Sequence, residues 1–479
     1  MQRSASAPRA GWTLAIVSIA LFMTALDNLV VGVALPSIRI DLGGSIESLE
    51  WTVNAYTLAF AVLLITGAAL GDRFGRKRMF VIGMSIFTGA SALAAVAPSI
   101  DSLIAARAVQ GMGAAFVLPL TLTLLSEAFP AEKRGMALGV WAGVSGLGVA
   151  LGPFVGGAVV EGMNWQWIFW LNVPIGLVLA PLAWRKLTES YGPADKLDLR
   201  GLALVGVGLF GLTFGIVRAT ALGWTSTTVL ASIIAGVVLI IAFIAWELRA
   251  PAPMLPMRFF RSRGFAASNG VSFAMFFGVF GAIFLLSQFF QTAQGYGPLE
   301  AGVRTLPWTA MPMLVAPIAG LLSDRIGSRP LMVAGLGLQA IAMAWLAAVT
   351  SPDVAYSTLV VPFILAGTGM ALVFAPTANA VLSSVRPEEA GQASGATNAI
   401  RELGGVMGVA VLASVFSASG SYASPQAFTD GIVAALPIAA VVLAIGAVLA
   451  LFVPGLKARR AVSLAPPAPA ERMAEPVAA

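Results

Sequence analysis

Fourteen stretches of about 20 mostly apolar residues, separated by short polar segments, constrain this chain more than any single motif does. They lie near 12–36, 50–70, 79–97, 102–126, 136–160, 165–184, 200–218, 229–248, 266–291, 300–322, 331–350, 355–383, 395–418 and 431–454. Each is long enough to cross a hydrocarbon core as a helix, and in lipid a spanning segment must satisfy its own backbone polar groups. The chain therefore reads as an all-α polytopic membrane protein. Charged residues make up 10% of it, against about 25% in an ordinary soluble domain. With no Cys and no His, thiol chemistry, disulfides, most zinc sites and the commonest general base are excluded. The first run follows Arg3 and Arg9 but is too long for a signal-peptide core and contains Asp27, so it reads as a retained helix.

The cations set the orientation. Of the 28 Lys and Arg, all but Arg39, Arg107, Arg218, Arg304 and Arg401 fall at the N-terminus or in alternate inter-span segments, and of these five only Arg39 clearly sits in an opposite loop. The positive-inside rule then places both termini in the cytoplasm and the chain in the cytoplasmic membrane. The net charge of +6 does not imply a nucleic-acid partner, because the cations lie in loops between spans.

A charged loop, Gly71-Asp72-Arg73-Phe74-Gly75-Arg76-Lys77-Arg78, follows the second span, and a weaker copy, Ser323-Asp324-Arg325-Ile326-Gly327-Ser328-Arg329, follows the tenth. An offset of eight spans rather than six implies two related six-helix bundles, at 12–184 and 266–454, with two helices inserted between them at 199–248. Residues 457–479, rich in Ala and Pro, read as a disordered cytoplasmic tail.

This arrangement resembles the major facilitator superfamily, and specifically its fourteen-helix drug/proton antiporter branch of EmrB/QacA type. Leu26-Asp27-Asn28-Leu29-Val30-Val31-Gly32-Val33-Ala34-Leu35-Pro36 is similar to the first-helix signature of that branch, and Arg107-Ala108-Val109-Gln110-Gly111-Met112-Gly113 to the fourth-helix Arg motif. Gly148-Val149-Ala150-Leu151-Gly152-Pro153-Phe154-Val155-Gly156-Gly157 resembles the antiporter motif of the fifth helix. Trp165-Gln166-Trp167-Ile168-Phe169-Trp170-Leu171-Asn172-Val173-Pro174-Ile175-Gly176 resembles the opening of the sixth. Two departures, Ala68 at the head of the loop motif and Asn28-Leu29 in the first helix, leave the fold unchanged and bear on substrate preference.

An ionisable residue inside a span is costly and marks a pathway or a pair. Asp27 is the first candidate for proton coupling, with Arg107 as the cation that modulates it; a permanently ionised structural pair is the plain alternative. Burial favours a neutral carboxyl group and a nearby cation favours a carboxylate, and that competition makes a proton carrier. Gly148, Gly152 and Gly156, spaced i, i+4 and i+8 beside Pro153 and Gly157, form a smooth face suited to close helix packing. The resemblance implies that this face seals one half against the other. The resemblance favours a conformational latch of Gly71, Asp72, Arg73, Gly75 and Arg76 in which Asp72 pairs with a neighbouring helix end in one conformation only; the plain alternative is that the cations merely hold the loop in the cytoplasm. Asn54, Tyr56, Gln110, Phe273, Phe277, Gln288, Gln291, Asn398 and Arg401 are candidates to line a substrate cavity, each weighed against ordinary interhelical packing.

The expected function is proton-coupled export of a hydrophobic or amphipathic drug, with proton-coupled uptake or uniport of a small metabolite as the alternative. A membrane enzyme ranks last, because no GxSxG, His cluster or CxxC is present. No GxxxxGK[ST] loop supplies ATP, and no cofactor or metal is expected. The expected partners are protons, an amphipathic small molecule and the lipid bilayer, with the chain a monomer. Glu127 and Glu402 read as lying near helix ends, so a neutral or monocationic substrate is the natural guess.

Overall fold

The computed structural model describes residues 7–44, 46–192, 198–251, 253, 255–386 and 389–455, and the expected tail at 457–479 lies outside them. Fourteen helices among the described residues are long and apolar enough to cross a membrane. They are α1 (Ala7–Leu42), α2 (Ile46–Phe74), α3 (Arg76–Ala95), α4 (Ile100–Ala128), α5 (Ala131–Gly162), α6 (Trp167–Trp170 and Asn172–Lys186) and α7 (Leu199–Leu222). After α8 (Thr227–Glu247) come α9 (Arg263–Thr292), α10 (Pro298–Thr309 and Met311–Ile326) and α11 (Ser328–Val349). The last three are α12 (Tyr356–Leu382), α13 (Ala390–Ser419) and α14 (Pro425–Ala450). Local chemistry fixes several boundaries. Ser99 and Ser102 form a capping box at α4, and the side chains of Asp198 and Ser424 cap α7 and α14. The break in α10 at Ala310 falls between Pro307 and Pro312, neither of which donates a backbone hydrogen bond.

The two six-helix bundles each have their own apolar core. Phe80, Phe87, Val117 and Leu120 sit in one, and Phe289, Phe363, Phe428 and Leu443 in the other. Small residues set the interhelical distances. A Cβ at Gly67 would stand 2.4 Å from the Ala115 carbonyl oxygen, and one at Gly113 would stand 2.5 Å from the Phe87 nitrogen, so α2, α4 and α3 meet backbone to backbone.

The inserted pair is not uniformly peripheral. Gly208, Gly211, Gly215 and Gly236 let α7 and α8 close into a hairpin, and α7 then packs against both α2 and α13. Ile65, Val205, Leu209, Phe243, Phe259, Phe265 and Ala396 form one buried cluster that joins the inserted hairpin to both bundles. α7 is thus packed into the transport body. Its apolar Val205 and Leu209 are buried on this cluster, whereas α8 keeps most of its surface exposed.

The bundles meet in two places. Near the 71–78 loop, a Cβ at Gly395 on α13 would lie 3.8 Å from the Ala68 Cβ on α2. Toward the opposite face, α5 lies against α10, where a Cβ at Gly157 would be 2.5 Å from the Pro298 carbonyl oxygen and one at Gly302 would be 2.4 Å from that of Pro153.

Candidate functional site: a buried carboxylate and guanidinium

A close approach of α4 to α2 builds the polar centre of the first bundle. A Cβ at Gly111 would lie 2.2 Å from the Tyr56 carbonyl oxygen, so only glycine lets the helices meet there. This brings Arg107, one turn earlier, over the Tyr56 ring at 4.3 Å, and its Nε donates to the Thr52 carbonyl at 3.1 Å. Arg107 Nη1 donates to Asp27 Oδ2 at 2.6 Å and to Gln110 Oε1 at 2.7 Å. Asp27 Oδ1 accepts from Gln110 Nε2 at 2.8 Å and from Asn172 Nδ2 at 2.7 Å. Ser91 Oγ accepts from the same two amides at 3.3 and 3.1 Å and donates to the Phe169 carbonyl at 2.9 Å.

Five helices thus converge on one carboxylate. Asp27 is 1% exposed and Arg107 0%, so the opposite charges neutralise each other away from solvent. Such burial is tolerated only when pairing and hydrogen bonds replace the lost hydration. Both oxygens of Asp27 have donors, whereas Arg107 Nη2 has no hydrogen-bond partner among the described residues.

Asp27, Arg107, Tyr56 and Gln110 therefore stand together as one constellation. Asn172 and Ser91 belong to it and were not singled out from the sequence. Asn172 carried a signal, since it is a polar residue opening the second segment of α6 within an apolar run. Ser91 carried none, because serines at similar places elsewhere bond to their own helix, as Ser85 does.

The remaining candidates scatter. Asn54 is buried on α2. Gln288 accepts from the Tyr422 hydroxyl at 2.9 Å and donates to the Phe284 carbonyl, which ties the far end of α9 to the segment between α13 and α14. Gln291 has a buried amide nitrogen without a hydrogen-bond partner among the described residues. Phe277 lies inside the second bundle's core and Phe273 is partly buried, their backbones closed against Gly408 and Gly404 of α13. Asn398 and Arg401 share a partly exposed stretch of α13.

The glycine face of α5 packs closely, as its spacing implies, but not between the two halves, as the resemblance implied. Cβ atoms at Gly148, Gly152 and Gly156 would strike Ala25, Leu29 and Val30 of α1, inside the same bundle. The contact between bundles is made by Pro153 and Gly157, each one residue further along and so about 100° around the helix.

The charged loop is also organised differently from the expected latch. Among the described residues Asp72 does not pair with a helix end. Arg76 Nε donates to its Oδ1 at 2.8 Å, and the Arg76 guanidinium also bridges to Glu127. The carboxylate that caps a helix is Glu189, from the segment after α6, which accepts from the backbone N–H of Lys77 at 2.9 Å and of Arg78 at 3.3 Å. Backbone bonds from Arg76 to Ser190 and from Gly192 to Asp72 stitch that segment onto the loop. Gly75 has φ 106°, a conformation that favours glycine, and Gly71 closes against Leu120. Arg73 is exposed, and the side chain of Asp324 in the second loop lies outside those described.

Comparison with known proteins identifies the architecture. The family model described as Major Facilitator Superfamily matches residues 17–409. The chain belongs to that superfamily. It is 34% identical over 402 residues to the tetracenomycin C resistance and export protein of Streptomyces glaucescens, covering 84% of this chain and 74% of that one. It is 35% identical over 408 residues to the multidrug resistance protein Stp of Mycobacterium tuberculosis, covering 85% and 76%. Against the puromycin resistance protein pur8 of Streptomyces alboniger the figures are 36% over 455 residues, 92% and 90%. In fold it resembles the human organic anion transporter MFSD10, with a TM-score of 0.60 at 16% identity, over 94% of this chain and 99% of that one. As a superfamily member it is a multi-pass membrane transporter of small molecules.

Proposed function

We propose that this transporter exports hydrophobic or amphipathic compounds across the cytoplasmic membrane in exchange for protons. One observation carries the reading: a carboxylate buried at mid-span, bonded to a guanidinium and two amides drawn from two other helices, α4 and α6. Protonation of Asp27 would release the Arg107 pairing and so change the relative energies of two arrangements of the first bundle. The relatives named for resistance and export support the direction of transport. The face bearing the 71–78 loop is cytoplasmic by the positive-inside rule, as are both termini, and the chain works as a monomer in the bilayer.

Transport would proceed by rocking of α1–α6 against α9–α14 about a site near the midplane. A potential of about 100 mV supplies about 2.3 kcal/mol per charge, enough to sustain a useful concentration ratio for each proton admitted. The glycine-lined contact between α5 and α10 would guard one side, and the α2–α13 contact the other.

The test is proton-driven accumulation of a panel of fluorescent amphipathic dyes in inverted membrane vesicles, with and without the protonophore CCCP. Export predicts accumulation that collapses when the gradient is dissipated. Gradient-driven depletion of the dyes would support uptake instead.

A further inference from the structure

We infer that Arg401 and its neighbours on α13 form a site for a planar aromatic compound carrying an acidic oxygen, such as a carboxylate or an ionised phenol. This rests on the export reading and names its substrate class. It departs from the expectation of a neutral or monocationic substrate.

The charges within the spans carry the argument. Asp27, Arg107, Arg401 and Glu402 lie well inside their helices. Glu402 is not near a helix end as first expected, because α13 begins at Ala390 and places it more than three turns in. Asp27 is enclosed by donors and offers nothing to a cationic ligand. Glu402 is buried on α13 and paired with the adjacent Arg401. No uncompensated, accessible carboxylate remains to hold a cation among these four.

Arg401 is different. Its guanidinium sits 4.7 Å from the Phe276 ring centroid and 5.6 Å from that of Phe374. Glu402 forms an ion pair with it at 3.7 Å, too long for a hydrogen bond, so its donors are not filled by that carboxylate. The Arg401 Nε is buried without a hydrogen-bond partner among the described residues. One turn earlier on the same face the Thr397 hydroxyl is also buried without a hydrogen-bond partner among the described residues. Natural proteins pair nearly all buried polar atoms, so two unmet donors on one helix face leave room for an acceptor supplied by a ligand. A guanidinium fork matches a carboxylate or phenolate, and the flanking aromatic faces match a flat apolar body. Coupling fits as well: one proton entering while one anion leaves moves two charges in the favourable direction of an inside-negative potential.

Three fluorescent probes of one shape separate the possibilities: anthracene-9-carboxylate, anthracene-9-carboxamide and (anthracen-9-ylmethyl)trimethylammonium. Binding to the full-length protein in nanodiscs is read by anisotropy. The parent should bind the carboxylate about tenfold more tightly than the amide, and Arg401→Gln should erase that ratio. Arg401→Lys, which keeps the charge but not the fork, should retain part of it, and Thr397→Val should weaken carboxylate binding about threefold while leaving the amide unchanged. Melting curves establish that each variant is folded, and Arg401→Lys keeps the test open if Arg401→Gln is not. A parent that prefers the ammonium or the amide, or an unchanged ratio in folded Arg401→Gln, would overturn the assignment. The same probes in gradient-driven vesicles separate the two readings. If the carboxylate is preferred in binding but no probe moves, export fails and the site stands. If the amide and ammonium are exported and the carboxylate is not, export stands and the site fails.

Discussion

The Asp27–Arg107 pair makes a quantitative prediction, because each member is buried for the sake of the other. Removing Arg107 as Arg107→Met keeps volume but leaves Asp27 ionised among two neutral amides, or forces it to take a proton. Removing the carboxylate charge as Asp27→Asn strands a guanidinium that is 0% exposed. Breaking one side of such a pair costs about 3–5 kcal/mol, far above the roughly 0.6 kcal/mol average of a neutral interhelical hydrogen bond in a membrane. The double variant Asp27→Asn/Arg107→Met leaves no charge stranded. Its loss should therefore fall short of the sum of the single losses by about 2 kcal/mol or more. The assay is unfolding in mixed lipid–detergent micelles titrated with dodecyl sulfate, with helicity as the readout, at pH 7. Additivity of the two single losses to within about 0.5 kcal/mol would refute the claim that the two charges depend on each other.

Other variants follow from local geometry. Gly157→Leu should abolish transport while Gly143→Leu leaves it near normal, because a Cβ meets the Pro298 carbonyl at the first and open space at the second; dye transport at matched expression measures both. Gly75→Ala should lower stability by about 1–3 kcal/mol through its positive φ and its collision with Glu189, and adding Glu189→Ala should recover only the collision. This is read in melting curves of the three proteins. Since the chain has no native Cys, Ala68→Cys/Gly395→Cys can be made cleanly, and the 3.8 Å Cβ separation suits a disulfide. Oxidation should stop transport and reduction restore it, whereas full activity in the cross-linked protein would show that these helices need not part.

How much of this was legible in the residues depends on the range of the interaction. The spans were readable because bilayer thickness imposes a length on apolar runs, and the repeated loop after α2 and α10 exposed the inserted pair. Asp27, Arg107 and Gln110 were visible because polar groups are rare in such runs. Their partner Asn172 was quoted as part of a motif but could not be recognised as a ligand of Asp27, since their contact spans 145 positions in sequence. The face of α5 was misassigned for a related reason. Periodicity finds which glycines share a face, but not whether α1 or α10 covers it. The same limit hid Glu189, one of three acids in a polar linker, whose role depends on that linker folding back over the α3 N-terminus.

The central claim is that substrate and proton movement are linked through Asp27. Its most direct test is proton flux in liposomes loaded with a pH-sensitive dye, containing the parent or Asp27→Asn, on addition of a transported compound without any imposed gradient. The account predicts a substrate-dependent pH change in the parent and none in a folded, substrate-binding Asp27→Asn. An equal pH change in both would contradict it and leave Asp27 and Arg107 as a structural pair.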